Sequence, residues 1–162
     1  MAEFQNVYWD QIGLDAFAAA CHLPNITVHQ IGRNKPSQCS MPYGFCDEAM
    51  LDIEYAKAVA GSIPLTNVYH DGYSLEGWAQ SLLQMPNTSL PLVHSISYAN
   101  DERQSPDTPA YDDATNALFM KLGLRGVTIL AATGDLGVWG HEGTANRRFN
   151  PMFPTSLSLI HI

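Results

Sequence analysis

Basic residues are scarce in this chain, whose 162 positions hold 8 Lys and Arg against 16 Asp and Glu, a formal charge of −8. Nucleic acids and anionic lipids recruit proteins through clustered positive charge, so no nucleic-acid partner is expected. Long apolar runs are missing as well. No stretch approaches the roughly eighteen residues needed to cross a bilayer, so no membrane partner is expected either. Met1-Ala2-Glu3-Phe4 lacks the basic start and apolar stretch of a secretory signal. His141-Glu142 would open an H-E-x-x-H zinc motif, but position 145 is Ala, so no metal is expected in this chain. Gly134 and Gly137 are spaced G-x-x-G and lack the G-x-G-x-x-G fingerprint, which makes a nucleotide-binding loop the weaker reading of that segment. Cysteines number three. Cys39 and Cys46 flank a Pro- and Gly-bearing loop that a disulfide would close in an oxidising compartment, leaving Cys21 over; three unpaired thiols fit the spacing equally well.

What remains is the composition of a globular protein, 46% hydrophobic and 15% charged, at a length suited to one domain with its own core. Helical and strand-like segments alternate, the pattern of βαβ units and a parallel sheet, so an α/β fold is expected. The spacing predicts helices over Asp10 to His22, Asp47 to Ala60 and Asp112 to Leu122. A further helix carries the stripe Leu75, Trp78, Ala79, Leu82 and Leu83. Strands are predicted over Ile26 to Ile31 and near Leu65 to Tyr69, Leu92 to Tyr98 reads as a buried strand, and Val127 to Ala132 reads as a central parallel strand. Two sequons, Asn25-Ile26-Thr27 and Asn87-Thr88-Ser89, lean towards a secretory route.

Three carboxylates bear on chemistry. At about 100° per residue, Glu48 and Asp52 fall on one face of their helix, together with Leu51, Tyr55 and Val59, while Glu54 and Lys57 face the other way. Two carboxylates within an apolar stripe raise each other's pKa and can share a proton, which suits acid/base chemistry at low pH. Stabilisation of negative charge at a helix N-terminus explains the same spacing without any chemistry. The third carboxylate, Asp135, lies between Gly134 and Gly137 in the loop after the Val127 strand. Open α/β sheets place their sites in such loops, and the glycines let a substrate approach closely.

Four segments in order carry a resemblance. Glu48-Ala49-Met50-Leu51-Asp52-Ile53-Glu54-Tyr55 resembles E-A-x-L-D-x-x-Y, and Pro91 to Tyr98 with Asp101-Glu102 resembles P-x-V-x-S-x-S-Y-G-x-x-E. Gly126 to Asp135 resembles R-G-V-T-x-L-x-A-S-G-D, and Phe149 to Ser156 resembles F-x-P-x-F-P-x-S. These are motifs of the sedolisins, the serine-carboxyl peptidases. Asn87 to Pro91 resembles the glycosylated approach to that strand in the family's tripeptidyl exopeptidases. The resemblance implies part of a subtilisin-like α/β domain, a parallel sheet flanked by helices, acting on peptide or protein substrates at acidic pH. Cleavage would proceed by acyl transfer, with tripeptidyl exopeptidase action foremost and endopeptidase action the alternative. It implies Glu48 as general base to a serine, Asp52 hydrogen-bonded behind it, and Asp135 as a protonated donor in the oxyanion hole. Ser97, Tyr98, Ala99 and Gly134 would border the substrate.

The chain also departs from the pattern. Ala99 replaces a glycine, which narrows the cleft by a Cβ; Thr133 replaces a serine, and Leu136 another frequent serine. The nucleophile's S-G-T-S motif and the calcium loop of the family lie later than the residues matched here. Calcium, a prosegment and a lysosomal or secreted location are therefore expectations for the full-length domain, and this chain alone is expected to be inactive, a non-catalytic fragment. After Ser156 the pattern stops, and Leu157 to Ile162 resembles a translated adapter end from a sequencing library. Residues 1–156 are thus expected to be a partial peptidase domain, with 157–162 a non-native tail and the gene continuing beyond it.

Overall fold

Parallel strand pairing follows from the alternation of strand and helix, because each crossover helix returns the chain to the same end of a sheet. The structure is a computed structural model that describes residues 1–39, 46–102, 104, 108–141, 143 and 148–157. It contains two compact units, 1–74 and 75–162.

In the first unit, β1 (Ala2–Glu3), β2 (Val28–Ile31) and β3 (Leu65–Tyr69) are all parallel, with β3 pairing both neighbours. Helices α1 (Gln11–Ala20) and α2 (Asp47–Ala60) supply the crossovers. The Asp10 side chain accepts from the Gly13 N–H at 2.7 Å and caps α1. Asp47 and Glu48 occupy the first turn of α2, where the helix dipole favours negative charge, and Gly61 ends it at φ +60°. Leu14, Ala18, Ile26, Ala49 and Ile53 form the core with Trp9. The Trp9 indole N–H donates to Gln30 Oε1 at 2.7 Å, which satisfies a polar group that burial would otherwise strand. Cys39 and Cys46 form a disulfide that closes the approach to α2, and Cys21 is exposed.

In the second unit, β4 (Val93–Ile96) and β6 (Thr128–Ala131) pair in parallel, Val93 opposite Thr128. Helix α3 (Leu75–Gln84) precedes β4, and between β4 and β6 run a two-residue strand β5 (Asn100–Asp101), which pairs antiparallel with β7 (Met152–Phe153), and α4 (Pro109–Leu124). Thr108 caps α4 by accepting from the Tyr111 N–H at 3.2 Å, and Pro109 fits the first helical turn. The α3 stripe is buried at Leu75, Trp78, Ala79 and Leu82, as its spacing predicts. Trp78 meets Phe119 of α4 edge-on at 6.3 Å.

Three sequence expectations need correction, the first being the burial of Leu92 to Tyr98, whose strand spans only Val93–Ile96 and whose Leu92 and Val93 are exposed. The Val127 to Ala132 run is not a central strand among the described residues: β6 lies at a sheet edge and Leu130 is 55% exposed. Leu51, Tyr55 and Val59 of α2 do not face a core either, because that helix buries Ala49 and Ile53 instead. Residues 158–162, most of the expected tail, lie outside the described residues.

Candidate active site

Chain topology brings the predicted site residues to the ends of strands. Helix α2 follows β2, so its first turn, with Glu48, lies towards the carboxyl end of a parallel strand. Glu48 and Asp52 stand one turn apart there and both are half-buried. The apolar neighbours expected around them are exposed, Val59 at 89%. The pair therefore lies at the margin of the packed face. Lys57, on the opposite side of α2, donates to the Ile63 carbonyl at 2.7 Å. Burial pushes the Glu54 carboxyl up.

Glu3, which the pattern of residues did not single out, is fully buried at the end of β1. The amino group of Met1 is held down by burial and raised by the carboxylates of Glu3 and then Asp52, so both acids act on one locus. A two-residue strand offers no periodicity from which to find such a residue. Charge in the middle of Ala2-Glu3-Phe4, whose other members are both buried, is the signal that was available.

In the second unit Ser97, Tyr98 and Ala99 follow β4, and Gly134 and Asp135 follow β6, so a parallel pair delivers both segments to the same edge. The Ala132 N–H donates to the Ile96 carbonyl at 2.9 Å and carries the pairing to the start of the Asp135 loop. Ser97, Tyr98 and Ala99 are half-buried, and Asp135 is exposed. Gly134 has φ +81°, and a Cβ there would press on the Met152 side chain at 3.0 Å. Backbone conformation thus favours glycine at this position, and a larger residue would also need the Met152 side chain to give way.

Beside Gly134 opens a cleft of about 490 Å³, lined among others by Gly137, Val138, Phe149, Met152 and Ser156. Its lining is mostly apolar, and the buried Ser156 hydroxyl has no hydrogen-bond partner among the described residues. Phe149 to Ser156 form the last of the four resembling segments, to which the resemblance assigns no role. Among the described residues no group of three or more His, Cys, Asp or Glu side chains is placed to hold a metal ion.

No family model matches the chain. It is 39% identical over 115 residues to tripeptidyl-peptidase 1 of the dog, a match covering 67% of this chain and 20% of that protein. A probable tripeptidyl-peptidase of Arthroderma benhamiae, SED3, is 31% identical over 168 aligned positions, covering 91% of this chain and 28% of the relative. The chain thus spans between a fifth and a third of these relatives. Among solved structures, Pseudomonas sedolisin, a serine-carboxyl proteinase complexed with two molecules of pseudo-iodotyrostatin, superposes with a TM-score of 0.62. That likeness covers 96% of this chain and 45% of the sedolisin chain at 16% identity, and it establishes the α/β fold. The chain is thus related in sequence to the tripeptidyl-peptidases and shares its fold with sedolisin, a sedolisin-family relationship in which it spans a part of each longer protein.

Proposed function

We propose that this chain supplies the carboxylates of an acid-acting serine-carboxyl peptidase that releases short peptides from free N-termini. The observation that carries the reading is the placement of Glu48 and Asp52 one turn apart on α2, with Asp135 in a glycine-bounded loop at the carboxyl end of β6. Glu48 accepts the proton of a serine hydroxyl supplied outside the residues matched here, as that oxygen attacks the scissile carbonyl carbon. Asp52, behind Glu48 on the helix, orients it. Asp135, carrying its proton, donates a hydrogen bond to the tetrahedral oxyanion. Collapse breaks the C–N bond, the leaving amine takes the proton from Glu48, and water then hydrolyses the acyl-serine by the same route in reverse. The requirement for a neutral Asp135 ties the reaction to acid.

Substrate backbone would run along Ser97 to Ala99, and the cleft beside Gly134 suits an apolar side chain of the peptide. The disulfide and the exposed sequon residues Asn25 and Asn87 favour a lysosomal or secreted setting. The calcium of the full-length family domain and its prosegment belong to regions other than this chain, and no step above is routed through a metal.

The test is Glu48→Gln in a gene product extended through the serine segment. An amide cannot accept the serine proton, so kcat should fall by about 100-fold or more at every pH with little change in KM. Near-wild-type kcat would overturn the assignment. Asp52→Asn should cost less. Peptides with free and acetylated N-termini separate exopeptidase from endopeptidase action, since equal cleavage of both assigns the latter.

A further inference from the structure

Asp101 is 3% exposed, which for a carboxylate requires compensation. Its Oδ1 accepts a hydrogen bond from the backbone N–H of His141 at 3.0 Å and lies 3.5 Å from the Nδ1 of the same residue. Gly140, at φ +59°, passes so close that a Cβ there would collide with both carboxylate oxygens. The carboxylate is therefore seated in a notch that only glycine leaves open.

The same short ribbon reaches the Asp135 loop a second way. Asp101 stands opposite Met152 in the pairing of β5 with β7, and Met152 is the side chain lying against the α-carbon of Gly134. The Glu102 N–H donates to the Pro151 carbonyl at 3.0 Å and fixes that register. Asn150, just before β7, donates its backbone N–H to the Val138 carbonyl at 3.0 Å and its side-chain amide to the Trp139 carbonyl. Gly134, Asp135, Gly140, His141 and Met152 together enclose a crevice of about 10 Å³, so the start and end of the loop fold back on one another.

We infer that Asp101 is a positioning residue for Asp135, its buried carboxylate anchoring the Gly140–His141 end of the loop so that Gly134 and Asp135 are held in place over Met152. This rests on the role proposed above for Asp135. It also gives a reason for a buried acid just beyond Ser97 and Tyr98. The strand segment that would border substrate continues directly into the residue that holds the oxyanion loop, so substrate strand and loop share one support.

Isotope-labelled 162-residue chain and its variants test this by NMR. In Asp101→Ala the His141 amide should exchange with solvent about tenfold faster or more, as when a hydrogen bond of ordinary net strength is lost. The amide signals of Gly134 and Asp135 should shift as well, while those of α1 stay in place. Asp101→Asn keeps an acceptor oxygen and should restore most of the protection. Gly140→Ala drives a methyl group into the same carboxylate and should disturb Gly134 and Asp135 from the other side, which keeps the test available if the Ala variant unfolds. Unmoved Gly134 and Asp135 signals in Asp101→Ala or Gly140→Ala would overturn the inference, as would an Asn variant that behaves like Ala. No substrate is needed for the readout. Its failure therefore leaves the peptidase assignment standing, and failure of the Glu48→Gln test leaves this anchor standing.

Discussion

His94 sits on β4 with only 1% of its surface exposed, its ring edge-on to Trp78 at 5.3 Å and its Nε2 2.8 Å from the Pro91 carbonyl. Burial disfavours the imidazolium and outweighs the help that the Pro91 carbonyl gives it, so the pKa falls from 6.5 to about 4. Above pH 6.5 the ring is neutral folded and unfolded, and it contributes no pH dependence. Between 6.5 and about 4 the unfolded chain takes up a proton that the folded chain refuses, so stability falls with pH, by about 3 kcal/mol in all. Denaturant midpoints measured from pH 7 to pH 4 should drop more steeply for the wild type than for His94→Gln. Parallel curves would show that some other group governs acid stability. The spacing of apolar residues identified this strand, yet nothing in Pro91 to Tyr98 distinguishes a buried histidine from an exposed one. Glu3 escaped notice for a similar reason, since its strand is only two residues long. Around Glu48, Asp52 and Asp135 it is the local backbone, a helix start and a glycine-bounded loop, that was legible, because nearby residues dictate it.

Elements were legible where they close on themselves. The bounds predicted for α2 and β3 match the observed ones, because Gly61 to Pro64 separates the two and Asp71-Gly72 follows β3. Strand β6 was misplaced at the sheet centre, since an apolar run reports what a strand is made to pack against and not what packs on it in this chain. The end of α3 needed a partner distant in sequence. That helix has no basic residue in its last turn, and the guanidinium of Arg125, at the end of α4, takes the place of one. It donates to the carbonyls of Leu82, Leu83 and Met85 and to Asn87 Oδ1, meeting orphan acceptors and the negative end of the helix dipole together. Arg125→Ala should lower the stability of the second unit by about 3 kcal/mol, given that bonds to a charged donor count for more than neutral ones. Arg125→Lys should recover only part, because a single ammonium cannot fork over several carbonyls. Thermal unfolding of both variants checks the order; equal Ala and Lys losses would mean that fork geometry does not matter.

Whole-molecule behaviour follows from apolar surface that neither unit buries. In the first unit Leu51, Tyr55 and Val59 line one face of α2 beside Glu48 and Asp52, and in the second Leu124 is 91% exposed and Leu130 lies on β6, an edge strand among the described residues. Each such side chain contributes about 1.5–3 kcal/mol when fully buried, so two patches of this kind are large against a typical folding stability of about 5–15 kcal/mol. Patches this apolar favour contact with any complementary surface, and an unpaired strand edge adds backbone donors and acceptors to the attraction. The chain covers 20% of the dog relative and 45% of the sedolisin chain, so those longer proteins have further residues able to cover equivalent faces. The 162-residue chain should therefore bind a hydrophobic dye and associate as its concentration rises, and a chain extended with the segments its longer relatives carry should do neither to the same degree. Val59→Lys together with Leu130→Glu should suppress association while changing the unfolding midpoint little, since exposed positions seldom shift stability by more than about 0.5 kcal/mol. Sedimentation velocity over a concentration series, with dye fluorescence alongside, reads both effects. A chain that stays monomeric and dark would mean that these faces are too small or too dispersed to act as surfaces, and the double variant would then have nothing to correct.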